Sequence, residues 1–231
     1  VAIVKGGEYD ANAEVVEGAI IDFSTLGTMT YNITDEYNIT IAYNSDSSKY
    51  YTGTFNGNGC IVTGLQYSTT ISYAGYSLFG YLGANAKISG ITLEAPQISA
   101  GSNTAGFVKS VLSGAEVSDC HLVGGSIQVT GNGAAGGIAA INGGLIKDCT
   151  NSAAIQGVNF AGGIAATYSQ SATTTNPMKI ESCDNTGNIM STGASSARVG
   201  GIFGGHDGRF YSVPAFIDIV NCDNTGSIDG G

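Results

Sequence analysis

The stretch Gly136-Gly137-Ile138-Ala139-Ala140-Ile141-Asn142-Gly143-Gly144-Leu145-Ile146-Lys147-Asp148-Cys149-Thr150-Asn151-Ser152-Ala153-Ala154-Ile155 decides the fold. It carries three apolar anchors: Ile138 after a glycine pair, Ile146 three residues before Cys149, and Ile155. The next glycine pair leads into Ile164, which starts the pattern again. Anchors at 138, 146, 155 and 164 leave each side room for a short strand and a corner, too little for an ordinary helix.

The anchors recur outward in both directions. Glycine-led segments stand at Ser77-Leu78-Phe79-Gly80, Gly106-Phe107-Val108, Gly162-Gly163-Ile164-Ala165 and Gly200-Gly201-Ile202-Phe203. The second anchor returns as Val117-Ser118-Asp119-Cys120, Ile180-Glu181-Ser182-Cys183 and Ile219-Val220-Asn221-Cys222. Earlier coils read Val62-Thr63-Gly64-Leu65 and Ile88-Ser89-Gly90-Ile91, with Leu65 and Ile91 in the cysteine's place. The third anchor is Ile98, Ile127, Ile155, Ile189 and Ile228. A local pattern returning roughly every 30 residues marks stacked units, none able to bury its apolar face alone. Three short strands per turn with glycine at the corners predict an all-β chain, a right-handed three-sided parallel β-helix (solenoid) over 51–231. Leucine-rich repeats would show Leu-x-x-Leu-x-Leu and a helix, and a propeller four strands per blade. The spacing fits neither.

Composition agrees. Glycine supplies 36 of 231 residues, about twice the usual share of ~7%, yet proline only 3, with 42% apolar residues. Charged residues are 11%, against a typical ~25%, so Ser, Thr, Asn and Gly must cover the surface. Net charge of -10 with 8 scattered Lys and Arg argues against a phosphate groove, so no nucleic-acid partner is expected. No apolar run approaches the ~20 residues of a transmembrane span. The chain begins at Val1 without a charged-then-apolar leader, which reads as a mature or trimmed protein.

A position shared by Leu65, Ile91, Cys120, Cys149, Cys183 and Cys222 is a small apolar slot. Its thiols are expected buried and reduced. A rung-to-rung disulfide is the alternative, since neighbouring rungs lie about 4.8 Å apart. No CxxC or CxxH pair is present, so neither a metal nor another cofactor is expected. Asn151, Asn185 and Asn224 follow the cysteines by two residues, where Leu93 and Leu122 stand earlier, and read as an inward asparagine ladder at a bend. Lys147 and Glu181 read as an exposed pair on adjacent rungs.

Residues before about Tyr50 do not follow the repeat. Residues 19–23 and 37–43 read as strands, and 1–50 as a β cap for the solenoid end. Asn32-Ile33-Thr34 and Asn38-Ile39-Thr40 match the N-glycosylation acceptor. At the other end, the last coil finishes at Gly230-Gly231. Its rung is expected exposed here, and covered natively by further coils or by a neighbouring molecule joined head to tail.

The segment Thr52-Gly53-Thr54-Phe55-Asn56-Gly57-Asn58-Gly59-Cys60-Ile61-Val62-Thr63-Gly64-Leu65 resembles the entry motif of the GLUG-repeat family. Ser77-Leu78-Phe79-Gly80-Tyr81-Leu82, Ile88-Ser89-Gly90-Ile91-Thr92-Leu93 and the Cys-Asp-Asn-Thr-Gly segments from Cys183 and Cys222 are also similar to its repeats. The resemblance runs from about Tyr51 to the C-terminus. It implies a bacterial secreted or cell-surface protein in which β-helical repeats form stalks or adhesin segments. Some relatives carry a zinc peptidase domain in immunoglobulin-cleaving proteases; its His-Glu-x-x-His is absent from this sequence.

Polysaccharide-cleaving enzymes also use β-helices and need paired carboxylates on one face. Asp119 with Asp148, and Asp184 with Asp223, fall on adjacent rungs, but Ser182, Asn221, His121 and Thr150 interrupt the two rows, which read as solvated stripes. Arginine is confined to Arg198 and Arg209. Two long insertions fall at one corner, 166–178 and 204–216. They carry Tyr168, His206, Asp207, Arg209 and Tyr211, residue types suited to stacking on a glycan or anchoring a host surface protein. The reading is a non-catalytic extracellular stalk or adhesin module. The alternatives are a binding module built on the paired loops and a polysaccharide lyase or hydrolase.

Overall fold

The computed structural model of the protein describes residues 12–14, 20–22, 50–169, 172, 175–193, 197–206 and 216–231. Among them every regular element is a β-strand, and every strand pairing is parallel. The fold is all-β, a β-helix-like stack of parallel rungs. Four sheets run along the stack.

The first sheet stacks Thr54–Thr63, Lys87–Glu94, Glu116–Val123, Leu145–Lys147, Met178–Glu181 and Ile217–Val220. Short strands Thr150–Asn151, Asp184–Asn185 and Asp223–Asn224 extend its later rungs. The second sheet runs from Gln66–Ser68 through Gln97–Ala100, Ser126–Val129, Ala154–Gly157 and Ile189–Ser191 to Ile228–Asp229. The third holds Thr104–Ala105, Ala134–Gly136, Phe160–Gly162 and Arg198–Gly200. The fourth holds Phe79–Leu82, Val108–Val111, Ala139–Asn142, Ala165–Tyr168 and Phe203–Gly205.

Three strands per turn were expected and four are found, because the glycine-led anchor splits in two. A Cβ on Gly136 would fall 1.9 Å from the Ala139 carbonyl oxygen, and one on Gly162 2.0 Å from that of Ala165. The chain folds back on itself more sharply at these glycines than a side chain permits, which ends one strand and begins the next.

Register explains the Ile-x-x-Cys spacing. Strict alternation would bring residues two apart to the same face. Here the residue before the ladder position is left-handed in five successive rungs: Gly90, Asp119, Asp148, Ser182 and Asn221, with φ of 68, 50, 53, 51 and 53°. The kink inserts one residue into the alternation, so Ile146 and Cys149 both face inward while Lys147 and Asp148 face out. Glycine, Asn and Asp tolerate this conformation best, which accounts for most of the residues chosen there.

The first coil corrects the expected alignment. Phe55 stands opposite Ile88, Cys60 opposite Ile91 and Val62 opposite Leu93. The ladder therefore begins at Cys60. Leu65 is buried at the following corner, where its carbonyl accepts from the Gln97 N–H at 2.9 Å. A bulge between Asn56 and Cys60, with Asn58 and Gly59 at φ 52 and 74°, supplies the extra length that hid the true register.

The third anchor stacks in register from Tyr67 through Ile98, Ile127, Ile155 and Ile189 to Ile228. All but the two ends of that row are at most 2% exposed. Burying each such side chain contributes about 1.5–3 kcal/mol. Within the first fifty residues, Asn12–Glu14 and Ile20–Asp22 pair in parallel with Thr54–Thr63, on the edge opposite the second rung. The expected strand at 37–43 and both glycosylation motifs lie outside the described residues. At the far end Ile219, Val220 and Ile228 are 43, 48 and 50% exposed.

Candidate functional site

The cysteines occupy one inward row. Cys60, Cys120, Cys149 and Cys183 are buried, Cys222 is half-buried, and all five are free thiols. Each of the later four bends back to the carbonyl two residues earlier, the one left beside the left-handed kink. Cys120 Sγ donates to Ser118 O at 3.3 Å, Cys149 to Lys147 O at 3.1 Å, Cys183 to Glu181 O at 3.2 Å and Cys222 to Val220 O at 3.3 Å. Burial pushes the Cys149 thiol well above its ordinary range, with the Cys120 thiol adding to the effect. The hydrogen bond with Cys149, then burial, does the same for Cys183. Burial also raises Cys60 and Cys222. Reactive cysteines need the opposite shift. This row packs and caps; it is not poised to attack.

The amide row runs beside it. Asn151 Nδ2 donates to Asn185 Oδ1 at 2.6 Å, and Asn185 Nδ2 to Asn224 Oδ1 at 2.7 Å. The second hydrogen of each amide goes to a corner carbonyl: Ala153 at 3.2 Å, Gly187 at 2.9 Å and, from Asn224, Gly226 at 3.0 Å. Across the interior these amides lie against the second glycine of each pair. A Cβ on Gly137, Gly163 or Gly201 would approach Asn151, Asn185 or Asn224 Cγ to 2.9, 2.4 or 2.1 Å. The glycine pair and the asparagine row form one device, which no local feature of the sequence connects.

The corner insertions are placed differently from expectation. The fourth-sheet strand continues through Tyr168, which is 5% exposed and stands opposite Asn142. Its hydroxyl donates to the Ala172 carbonyl at 3.4 Å, and Ala172 is itself buried. Tyr168 therefore belongs to the core rather than to a projecting surface, because the chain holds its register longer than the anchor spacing suggested. His206 sits on the next rung as its edge-on neighbour, with ring centroids 5.1 Å apart. The structure brings Tyr168 and His206 together; Asp207, Arg209 and Tyr211 lie outside the described residues.

The outer face of the first sheet carries the chemistry-bearing cluster that sequence reading only half saw. His121 lies 3.0 Å by Nδ1 from Thr150 Oγ1 and 3.1 Å by Nε2 from Asp119 Oδ1. Hydroxyl, imidazole and carboxylate thus follow one another in the order of a nucleophile, a base and an orienting acid. Thr150 and His121, read only as interruptions of a carboxylate row, are rung neighbours 29 positions apart, and their hydrogen bond was not foreseen. The imidazole and carboxylate side chains are 34 and 67% exposed. Catalysis by such a set draws mainly on donors preorganised around the developing charge in a water-excluded site. Nearby, Glu116 takes Lys147 at 3.1 Å and Lys87 at 3.4 Å, while Lys179 pairs with Glu181 at 3.6 Å. Lys147 thus reaches back to Glu116 instead of forward to Glu181. Burial alone would raise the Glu116 carboxyl, but the two lysines outweigh it and hold it below the usual carboxylate range. Among the described residues no group of three or more His, Cys, Asp or Glu is placed to hold a metal ion, and no helix is long and apolar enough to cross a membrane.

No family model and no curated protein matches the chain. A solved structure described as a "putative immunoglobulin A1 protease from Bacteroides ovatus" has a similar fold. It aligns with a TM-score of 0.61 at 19% identity, over 93% of this chain and 61% of the other. The chain thus spans less than two thirds of that neighbour's length. The likeness is one of fold.

Proposed function

We propose that the four sheets close into a right-handed three-sided parallel β-helix, with the third and fourth sheets forming one side bent at the glycine pair. In this reading the chain is a non-catalytic module of a secreted or cell-surface bacterial protein, a stalk or adhesin segment of the kind its GLUG-like repeats imply. The observation that carries it is the continuity of the inward rows over six rungs. Thiols, amides and left-handed residues that could serve chemistry elsewhere are consumed in joining one rung to the next. Low charge density and a Ser, Thr, Asn and Gly surface support an extracellular setting. The exposed final rung supports covering by a further parallel rung, from a longer chain or from a neighbouring molecule stacked head to tail. Small-angle scattering on the purified chain should fit a prism of constant cross-section. Hydrolysis of p-nitrophenyl esters should be the same with and without His121→Ala. Saturable turnover abolished by that substitution would overturn the non-catalytic reading, and a scattering profile of a flattened open sheet would overturn the closed one.

A further inference from the structure

The outer face of the second sheet differs from the rest of the surface. Alternation puts Tyr67, Ile98 and Ile127 inward and leaves two outer rows. One is Gln66, Gln97 and Ser126; the other is Ser68, Ser99 and Gln128. Long glutamines flank short serines, so the face is not flat. It encloses an open groove of about 260 Å³ lined by these two rows, with Tyr67 and Ile98 reaching it from below. The outer rows continue through Ala154, Gln156 and Met190 on the next two rungs. The first charge along them is Asp229 on the last rung. In a chain of net charge -10, whose first sheet carries Lys87, Glu116, Lys147, Lys179 and Glu181 outward, five rungs without a charge form a distinct strip.

We propose that this strip binds an uncharged polysaccharide lying along the stack. A phosphate or carboxylate ligand would want cationic partners and a cation would want carboxylates; the groove offers neither. Amides and hydroxyls offer donors and acceptors side by side, which suits the vicinal hydroxyls of a neutral sugar. Ser126 Oγ already donates to Gln97 Oε1 at 2.9 Å, so part of the polar lining is oriented before a ligand arrives. Tyr67 is held by stacking on Tyr76, with centroids 4.5 Å apart and planes inclined by 23°, and gives one end of the groove a fixed apolar edge for sugar C–H groups. Rungs repeat at about 4.8 Å, close to the length of one pyranose unit, so successive sugars of an extended chain meet successive rungs. This site lies away from the corner insertions, and the inference does not rest on the stalk reading.

Titration calorimetry with cellohexaose, xylohexaose and laminarihexaose, and with hexagalacturonate as the charged counterpart, tests it. At least one neutral hexasaccharide should bind, and hexagalacturonate more weakly. Ser99→Phe, which fills the groove, and Gln97→Ala, which removes one flank, should each weaken binding about tenfold or more. Lys87→Ala on the first sheet should leave it unchanged, and thermal melts should confirm that all three variants fold. The inference is overturned if no neutral hexasaccharide binds, if the charged one binds more tightly, or if both groove variants retain wild-type affinity.

Discussion

Replacing Gly163 by alanine tests the device that joins the glycine pair to the asparagine row. The new Cβ would lie 2.0 Å from the Gly201 carbonyl oxygen, 2.4 Å from Asn185 Cγ and 2.6 Å from Asn185 Oδ1. The clash with the carbonyl can be relieved only by a backbone shift, and that with the amide only by moving the Asn185 side chain. Moving it ends the hydrogen bond from Asn151 at 2.6 Å and those to Asn224 at 2.7 Å and Gly187 at 2.9 Å. Overpacking costs about 1–3 kcal/mol. Each buried amide group left unmatched adds about 1–3 kcal/mol, part of which relaxation recovers. A total near 4 kcal/mol follows, and at roughly 2–4 °C per kcal/mol for a chain of this size the melting temperature should fall by on the order of 10 °C. Circular dichroism melts of Gly163→Ala beside Gly230→Ala, whose Cβ meets nothing within 4 Å, provide the comparison. The substitution should also cost less in an Asn185→Ala background, where the clash with the amide is gone and only that with the Gly201 carbonyl remains. A Gly163→Ala melt matching Gly230→Ala, or an equal cost in both backgrounds, would refute the reasoning.

Two further expectations concern the row beside it. The folded state raises the affinity of Cys149 and Cys183 for their protons above that of unfolded thiols, whose ordinary value is 9.0. The stability they contribute is complete below pH 9 and declines as pH rises further, by about 1.4 kcal/mol per thiol one unit higher. Denaturant midpoints should therefore fall between pH 9 and 10, and the fall should shrink in a Cys149→Ala variant; a midpoint flat across that range would count against the buried thiol row. At the left-handed kink, Asp148→Val should destabilise by about 1–2 kcal/mol while Asp148→Gly should not, since φ is 53° there. Equal melts for the two would show that the kink relaxes freely.

The row of Ile98, Ile127, Ile155, Ile189 and Ile228 was legible in the sequence because an isoleucine preceded by a polar or small residue recurs once per coil, after the Ile-x-x-Cys segment in the later coils. The same periodicity misplaced Leu65, since the bulge at Asn58 and Gly59 lengthens the first coil within the motif rather than between motifs. Asp119 and Asp148 read as part of a solvated stripe; the structure adds that their left-handed backbone favours the residue type. Tyr168 looked like loop because nothing in composition marks where a strand stops holding register. The groove of the second sheet was invisible for a different reason: Gln66, Ser99 and Gln128 become neighbours only when three coils are stacked.

Along the first sheet each strand bonds to the strand of the coil before it and the coil after it, and the N-terminal strands at 12–14 and 20–22 dock on Thr54–Thr63. Among the described residues no strand of that sheet takes a partner from the distant end of the chain. Each coil pairs with the coil before it, and the row of asparagine amides, donating from Asn151 to Asn185 to Asn224, runs in the direction of the chain. Assembly of this sheet therefore needs only contacts between successive coils, so a folded segment can extend one rung at a time.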